Sequence, residues 1–244
     1  MGSLVAFVAA IQFLTISPAF IRRAFTPQEL GRAAGFYPLV GLILGGILAG
    51  AYYILSQIFP TPVTASLILT LWVILTGAIH LDGFLDTCDG LFGGSTPGKR
   101  LEIMRDERIG AFALAGGVLL LFTKFTSLSA QPNPYYALLL APTLSRWGMS
   151  FVILAFPYAR PQGLGRDIKD QTSWRQLFLG TIITLVLAWL LYRWAGMILL
   201  LATGLLLWLG GRFVLRRIPG MTGDIYGAFN ELAETFVLLG LIIY

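Results

Sequence analysis

Three aspartates in His80-Leu81-Asp82-Gly83-Phe84-Leu85-Asp86-Thr87-Cys88-Asp89-Gly90 fall at offsets of 0, 4 and 7. On a helix this spacing brings the carboxylates of Asp82, Asp86 and Asp89 within about 60° of one another. Three unneutralised carboxylates on one face repel, and a divalent cation removes the conflict. All-oxygen ligation at an aqueous surface suits Mg²⁺ better than zinc. The bland alternative is a solvated acidic helix end, but such faces usually interleave Lys or Arg.

Two further acidic clusters stand out. Glu102, Arg105, Asp106, Glu107 and Arg108 read most simply as ion pairing along an interfacial helix. Asp224, Glu231 and Glu234 are harder to dismiss, because they enter the last apolar stretch on one helix face with Gly227 between them. Acids within a membrane span face a polar cavity or a partner, for example Arg146 or Arg212. Arg146 itself lies mid-span, where a charge costs about 2.5–3.5 kcal/mol on insertion scales. It must point into the bundle, as an anion ligand or as a counter-ion. Lys124, near the end of its span, is expected to snorkel and is given no function. Gly163-Leu164-Gly165-Arg166 reads as a turn more readily than as a phosphate loop. His80 lies about 160° from Asp82 around a helix, which suits a packed neutral histidine. Cys88 also points off the acidic face.

The elements that position these residues follow from composition. Of 244 residues, 57% are hydrophobic and 12% charged, with mean hydropathy +0.78. A soluble domain carries roughly 25% charged residues, so a water-soluble enzyme, a disordered chain and a collagen-like repeat are excluded. The reading is an all-α polytopic membrane bundle of seven to eight spans, one domain over residues 1–244. At about 20 apolar residues per crossing, candidate spans lie near 4–20, 33–59, 63–80, 109–130, 135–156, 176–193, 195–211 and 225–244. The first, with Gln12, Thr15, Ser17 and Pro18, could equally lie in the interface or re-enter. Thr26-Pro27-Gln28-Glu29 and Thr96-Pro97 read as starts of short cytoplasmic interfacial helices.

Fourteen of the 17 basic residues fall in alternate loops: Arg22, Arg23 and Arg32; Lys99, Arg100, Arg105 and Arg108; Arg160, Arg166, Lys169 and Arg175; Arg212, Arg216 and Arg217. The connections between them carry no charge except Arg193. The positive-inside rule assigns the basic loops to the cytoplasm and accounts for the net charge of +5 without a nucleic-acid partner. The picture is an acid-lined, metal-loaded mouth with arginines nearby, which suits phosphoryl or nucleotidyl transfer at the membrane surface. A cation transporter competes, but no acid marks the outer half of any span.

The block HLDGFLDTCDG followed by LEIMRDERIGAFA closely resembles the signature region of the cobalamin synthase (adenosylcobinamide-GDP ribazoletransferase) family. Phe36-Tyr37-Pro38-Leu39-Val40-Gly41, Arg160 through Arg166, Thr222-Gly223-Asp224, Gly227-Ala228 and Glu231 extend the resemblance over most of the chain. One departure is Ile16, where the family usually has a basic residue. The resemblance implies an Mg²⁺-dependent multi-pass enzyme of the prokaryotic cytoplasmic (inner) membrane, its site facing the cytoplasm. It would join adenosylcobinamide-GDP to α-ribazole or α-ribazole 5′-phosphate and release GMP. Asp82, Asp86 and Asp89 would ligate Mg²⁺, with Asp224 and Asp106 completing the site and Asp82 counted as catalytic. Arg105, Arg108, Arg146 and Arg166 would hold phosphates, and Glu231 or Glu234 would be the general base. A homo-oligomer stays open. The runner-up is a CDP-alcohol phosphotransferase-like enzyme, although Leu85-Asp86-Thr87-Cys88 departs from that signature.

Overall fold

The computed structural model describes residues 2–243. Its regular elements are helices, and among the described residues the β-type pairing is one isolated bridge between Tyr158 and Met221. In chain order they are α1 (Gly2–Leu14), α2 (Pro27–Ala33), a 3₁₀ turn (Ala34–Phe36), α3 (Tyr37–Leu55), α4 (Thr61–Leu75), α5 (Ile79–Gly93), α6 (Pro97–Ile103), α7 (Ala111–Ser129), α8 (Pro134–Ala155), α9 (Leu164–Gln171), α10 (Trp174–Leu215) and α11 (Gly223–Ile242). The predicted end of the last span at Tyr244 and the domain limits at 1 and 244 lie outside the described residues.

Five helical stretches are long and apolar enough to cross a membrane: Pro27–Leu55, α7, α8, α10 and α11. α4 and α5 pass the same test only together, and they meet at a bend of 89°, as in a broken span or a re-entrant loop. That bend is made at Gly77 and Ala78, both left-handed at φ +60° and +57°. Glycine adopts this conformation freely; for Ala78 it costs about 1–2 kcal/mol. A straight α10 of 42 residues would be about 63 Å long, twice the bilayer core. Instead the backbone breaks at Arg193 (φ 49°, ψ −128°) and folds back, bringing Gly196 against the Ala188 carbonyl. Trp147 of α8 confirms the hairpin, since its indole donates to Thr181 Oγ1 of the first arm (2.9 Å) and packs against Gly204 of the second. The two arms match the expected spans 176–193 and 195–211.

The N-terminal segment does not span. At 13 residues α1 reaches about 20 Å, short of the roughly 30 Å needed. The chain then returns, with the Gln12 side chain both accepting from the Ile21 amide (2.9 Å) and donating to its carbonyl (3.2 Å).

The central helix is α8, packed against α3, α10 and α11. Of its most apolar stretch 83% is buried, against 33% in α7 and in α10, which therefore face lipid. This position explains why α8 carries a run of buried polar groups (Thr143, Ser145, Arg146 and Ser150). The interfacial helices form as expected. Thr26 and Glu29 make a reciprocal capping box at α2, and Thr96 caps α6 by accepting from the Lys99 amide.

Candidate active site

The helix predicted from the aspartate spacing is α5, and glycines decide how closely it sits. A Cβ on Gly83 would lie 2.7 Å from the Asp224 carbonyl oxygen, and one on Gly227 would lie 3.1 Å from the His80 backbone. Only hydrogen at both positions lets α5 and α11 cross backbone to backbone. The crossing sets Asp82 and Asp86 beside Asp224 at the first turn of α11. On its other side α5 packs on α7, with Gly116 against Cys88 and Gly117 against Leu85.

The aspartates open onto a cavity of about 250 Å³, lined by Asp82, Asp86 and Asp89 from α5 and by Arg105, Asp106 and Arg108 from the segment after α6. That segment, expected to continue as a helix, leaves helical geometry after Ile103 and wraps over the acids as a loop. Its Asp106 is gripped by Arg108 at 2.9 and 2.6 Å, and this pairing holds the Asp106 carboxyl at about 2.

The five predicted metal ligands do not share one role. Asp89 is buried, and its two oxygens accept from the Gly110 and Ala113 amides at 2.6 and 2.9 Å. It thus caps the otherwise unsatisfied N-terminus of α7. Asp224 pairs with Arg160 at 3.0 Å and accepts from the Thr222 hydroxyl, while Asp106 is committed to Arg108. Asp82 and Asp86 face the cavity as open carboxylates one helical turn apart, Asp82 exposed and Asp86 half-buried. Among the described residues no three His, Cys, Asp or Glu side chains already converge on one point. This donor set still fits Mg²⁺, which keeps several waters and binds through one or two carboxylates plus substrate phosphates.

Deeper in the bundle the structure departs from the snorkelling expected of Lys124 and from the substrate-facing roles expected of Arg146 and of Glu231 or Glu234. Lys124 does not snorkel: it is 2% exposed and bridges Glu231 (2.6 Å) and Glu234 (2.5 Å), with its ammonium 4.8 Å from the centre of the Trp72 ring. Arg146 is wholly buried and paired with Glu234, so it is a counter-ion, not an anion ligand. Glu231 and Glu234 are both buried against cations, so neither is free to take a proton from substrate. Two cations and two anions give a neutral cluster, and Asn230 adds a hydrogen bond to Glu234 at 3.0 Å. His80 packs here at 3% exposure, its Nδ1 facing Arg146 Nη2 at 3.4 Å, as expected of a core histidine.

Arg166 also departs from expectation. It pairs with Asp170 along α9 (2.8 Å) and does not line the acid cavity. Arg160, singled out only as a loop charge, is the base that reaches Asp224. Two bonds between the 157–159 and 221 backbones hold it there, Ala159 N–Met221 O and Met221 N–Pro157 O, each 2.8 Å. Its place in the resembling stretch 160–166 was the available signal. Ile16 lies at the α4–α5 break, its amide donating to the Leu75 carbonyl (2.9 Å).

Comparison with known proteins gives one consistent result. The model of the family described as Cobalamin-5-phosphate synthase matches residues 6–242. A protein of Desulfitobacterium hafniense named adenosylcobinamide-GDP ribazoletransferase is 41% identical over 240 residues, covering 95% of this chain and 94% of that one. Relatives of the same name from Stutzerimonas stutzeri (40% over 235 residues, 95% of each chain) and Pseudomonas aeruginosa (42% over 240 residues, 96% of each) agree. No solved structure matches. With the match running from α1 to the end of α11 and taking in every residue of the acid-lined cavity, the chain belongs to the cobalamin-5-phosphate synthase family.

Proposed function

We propose that this protein is an adenosylcobinamide-GDP ribazoletransferase acting at the cytoplasmic face of the inner membrane of a prokaryote. The observation that carries the reading is the open pair Asp82 and Asp86 facing Arg105 and Arg108 across one cavity, in a chain that matches its relatives end to end. The basic loops gather at the end of the bundle that holds this cavity, which supports a cytoplasmic site. The buried charges that a transport path would need are paired with one another.

In the reaction a ribazole hydroxyl oxygen attacks the phosphorus attached to the corrinoid. The new P–O bond forms as the bond to the GMP phosphate breaks, and the hydroxyl proton is lost. Bound Mg²⁺ would neutralise charge on the diphosphate as it develops. With Asp89 capping α7 and Glu231 and Glu234 committed to ion pairs, Asp82 and Asp86 on α5, with Glu107 on the loop above them, are the cavity carboxylates left to hold the metal and to take the proton. Arg105, which has no acidic partner among the described residues, reaches the diphosphate from the opposite wall, with Arg108 held beside it by Asp106. Arg160 fixes the Asp224 carboxylate beside them and restrains it from swinging into the cavity.

The test is direct. Purified protein given adenosylcobinamide-GDP, α-ribazole and Mg²⁺ should release one GMP per adenosylcobalamin formed, and EDTA should stop it. Absence of GMP from folded protein in Mg²⁺ would overturn the reading. EDTA-insensitive release would overturn the metal's part in it.

A further inference from the structure

We infer that the chain holds an anionic phospholipid from the bilayer leaflet on the side of its basic loops, with the lipid phosphate between Arg32 and Arg175. These arginines come from α2 and α10. They share one pocket of about 250 Å³ with Ser3 and Ala6 of α1, Phe36 of the 3₁₀ turn and Leu179 of α10. No residue of this pocket lines the acid-lined cavity.

The acids nearest to the two bases in sequence are already taken. Glu29, one turn before Arg32 on α2, accepts from Arg23 through both oxygens at 2.6 and 2.8 Å and closes the capping box with Thr26. Asp170, five residues before Arg175, pairs with Arg166 at 2.8 Å. Among the described residues no carboxylate lies within ion-pairing distance of Arg32 or Arg175. Neither α1 nor α10 carries an acid in its first turn, and both begin at this pocket, so their N-terminal amides add to the positive field. The balance is the reverse of that around the aspartates: cations are in excess and neighbouring helices supply no counter-charge.

The surroundings favour a lipid over a free anion. The arm of α10 that begins here faces lipid and exposes Trp174, Phe178 and Leu179, while Leu4 is exposed on α1. Trp174 lies with its ring 6.5 Å from that of Phe178 and 5.9 Å from the Arg175 guanidinium. An exposed tryptophan at the end of an apolar helix marks the headgroup level of a bilayer, which puts the two arginines at the depth of lipid phosphates. Guanidinium groups bind phosphate oxygens in pairs. The pocket volume is below the roughly 300–1,000 Å³ of sites that enclose drug-sized ligands, so it takes a headgroup, and the acyl chains leave along Phe178 and Leu179. Close backbone packing fixes the walls. A Cβ on Gly31 would meet Gln171 at 2.4 Å, and one on Gly35 would meet Gln176 at 3.3 Å. The spacing of the two arginine stems is therefore set before any ligand arrives.

The test uses the full chain in detergent, titrated with phosphatidylglycerol, phosphatidylcholine or inorganic phosphate and read by native mass spectrometry. Wild type is compared with Arg32→Gln/Arg175→Gln and with Arg22→Gln/Arg216→Gln, which removes the same charge from exposed bases outside the pocket. Wild type should retain one phosphatidylglycerol in preference to phosphatidylcholine and should not retain phosphate. The pocket double variant should bind phosphatidylglycerol about 25-fold more weakly, about fivefold for each arginine beside an anionic headgroup, and the charge-matched control should move by less than about twofold. If the pocket double variant does not fold, Arg175→Gln alone decides at the fivefold level. Equal phosphatidylglycerol affinity in wild type and pocket variant would overturn the lipid site. An equal loss in the charge-matched control, or phosphate held as tightly as the lipid, would do the same.

Discussion

Asp224 and Glu231 are two turns apart on α11, about 10 Å along its axis, yet they belong to opposite kinds of site. Around Asp224 the acids are in excess and two of them, Asp82 and Asp86, face a cavity. Around Glu231 every carboxylate is matched by a cation brought from another helix, Lys124 from α7 or Arg146 from α8. The first arrangement is electrostatically incomplete, which is what the proposed metal and diphosphate would remedy. The second is complete and neutral. Acids on one helix face therefore do not by themselves mark chemistry; what marks it here is whether neighbouring helices supply the counter-charge.

The largest effect should come from the incomplete site. Asp82→Asn or Asp86→Asn should each lower GMP release by about a thousandfold, the several kcal/mol a metal supplies at 1.36 kcal/mol per decade. Thermal unfolding should stay as in wild type, because neither carboxylate supports a packing contact. The complete site should behave in reverse. Lys124→Met strands two buried glutamates with one arginine and should cost about 3–5 kcal/mol of stability, seen as a lowered Tm in detergent. Adding Glu231→Gln restores neutrality through Arg146–Glu234, so the double variant should recover much of that Tm and turn over substrate.

Between these extremes lies Arg160, which restrains Asp224 at the border of the two regions. Arg160→Ala removes a charge-assisted hydrogen bond and should lower kcat/KM about tenfold, with most of the loss in kcat. The smallest effect is expected at Asp106. Because Arg108 depresses its carboxyl to about 2, any stability it adds is complete above its ordinary value near 4 and is lost only as pH falls toward 2. Asp106→Asn should therefore leave the shape of the pH–rate profile between pH 5 and 8 unchanged.

Much of this was legible along the chain. Hydropathy located the long apolar helices and the turn at Arg193, because a bilayer imposes a minimum length on a span, but it did not separate the short α1 from a crossing. Thr26-Pro27 and Thr96-Pro97 announced their helices because capping is local. The spacing of Asp82, Asp86 and Asp89 set their shared helix face, again a local property. What escaped was contributed from elsewhere in the sequence. Lys124 finds Glu231 across 107 residues, and Asp89 finds the amides of Gly110 and Ala113 across a loop. Neither partnership leaves a periodic trace. A lysine near a span end looks the same whether it snorkels or turns inward, and a third aspartate in register looks like a ligand even when it caps a helix.

In the proposed function the open pair is the reacting centre and the buried cluster a brace. The most direct measurement is the rate of GMP release, at saturating adenosylcobinamide-GDP, α-ribazole and Mg²⁺, from folded Asp86→Asn beside the Lys124→Met/Glu231→Gln double variant. Near-complete loss is expected in the first and turnover within a few-fold of wild type in the second. Near-normal release from Asp86→Asn, with loss in a folded double variant, would contradict that assignment.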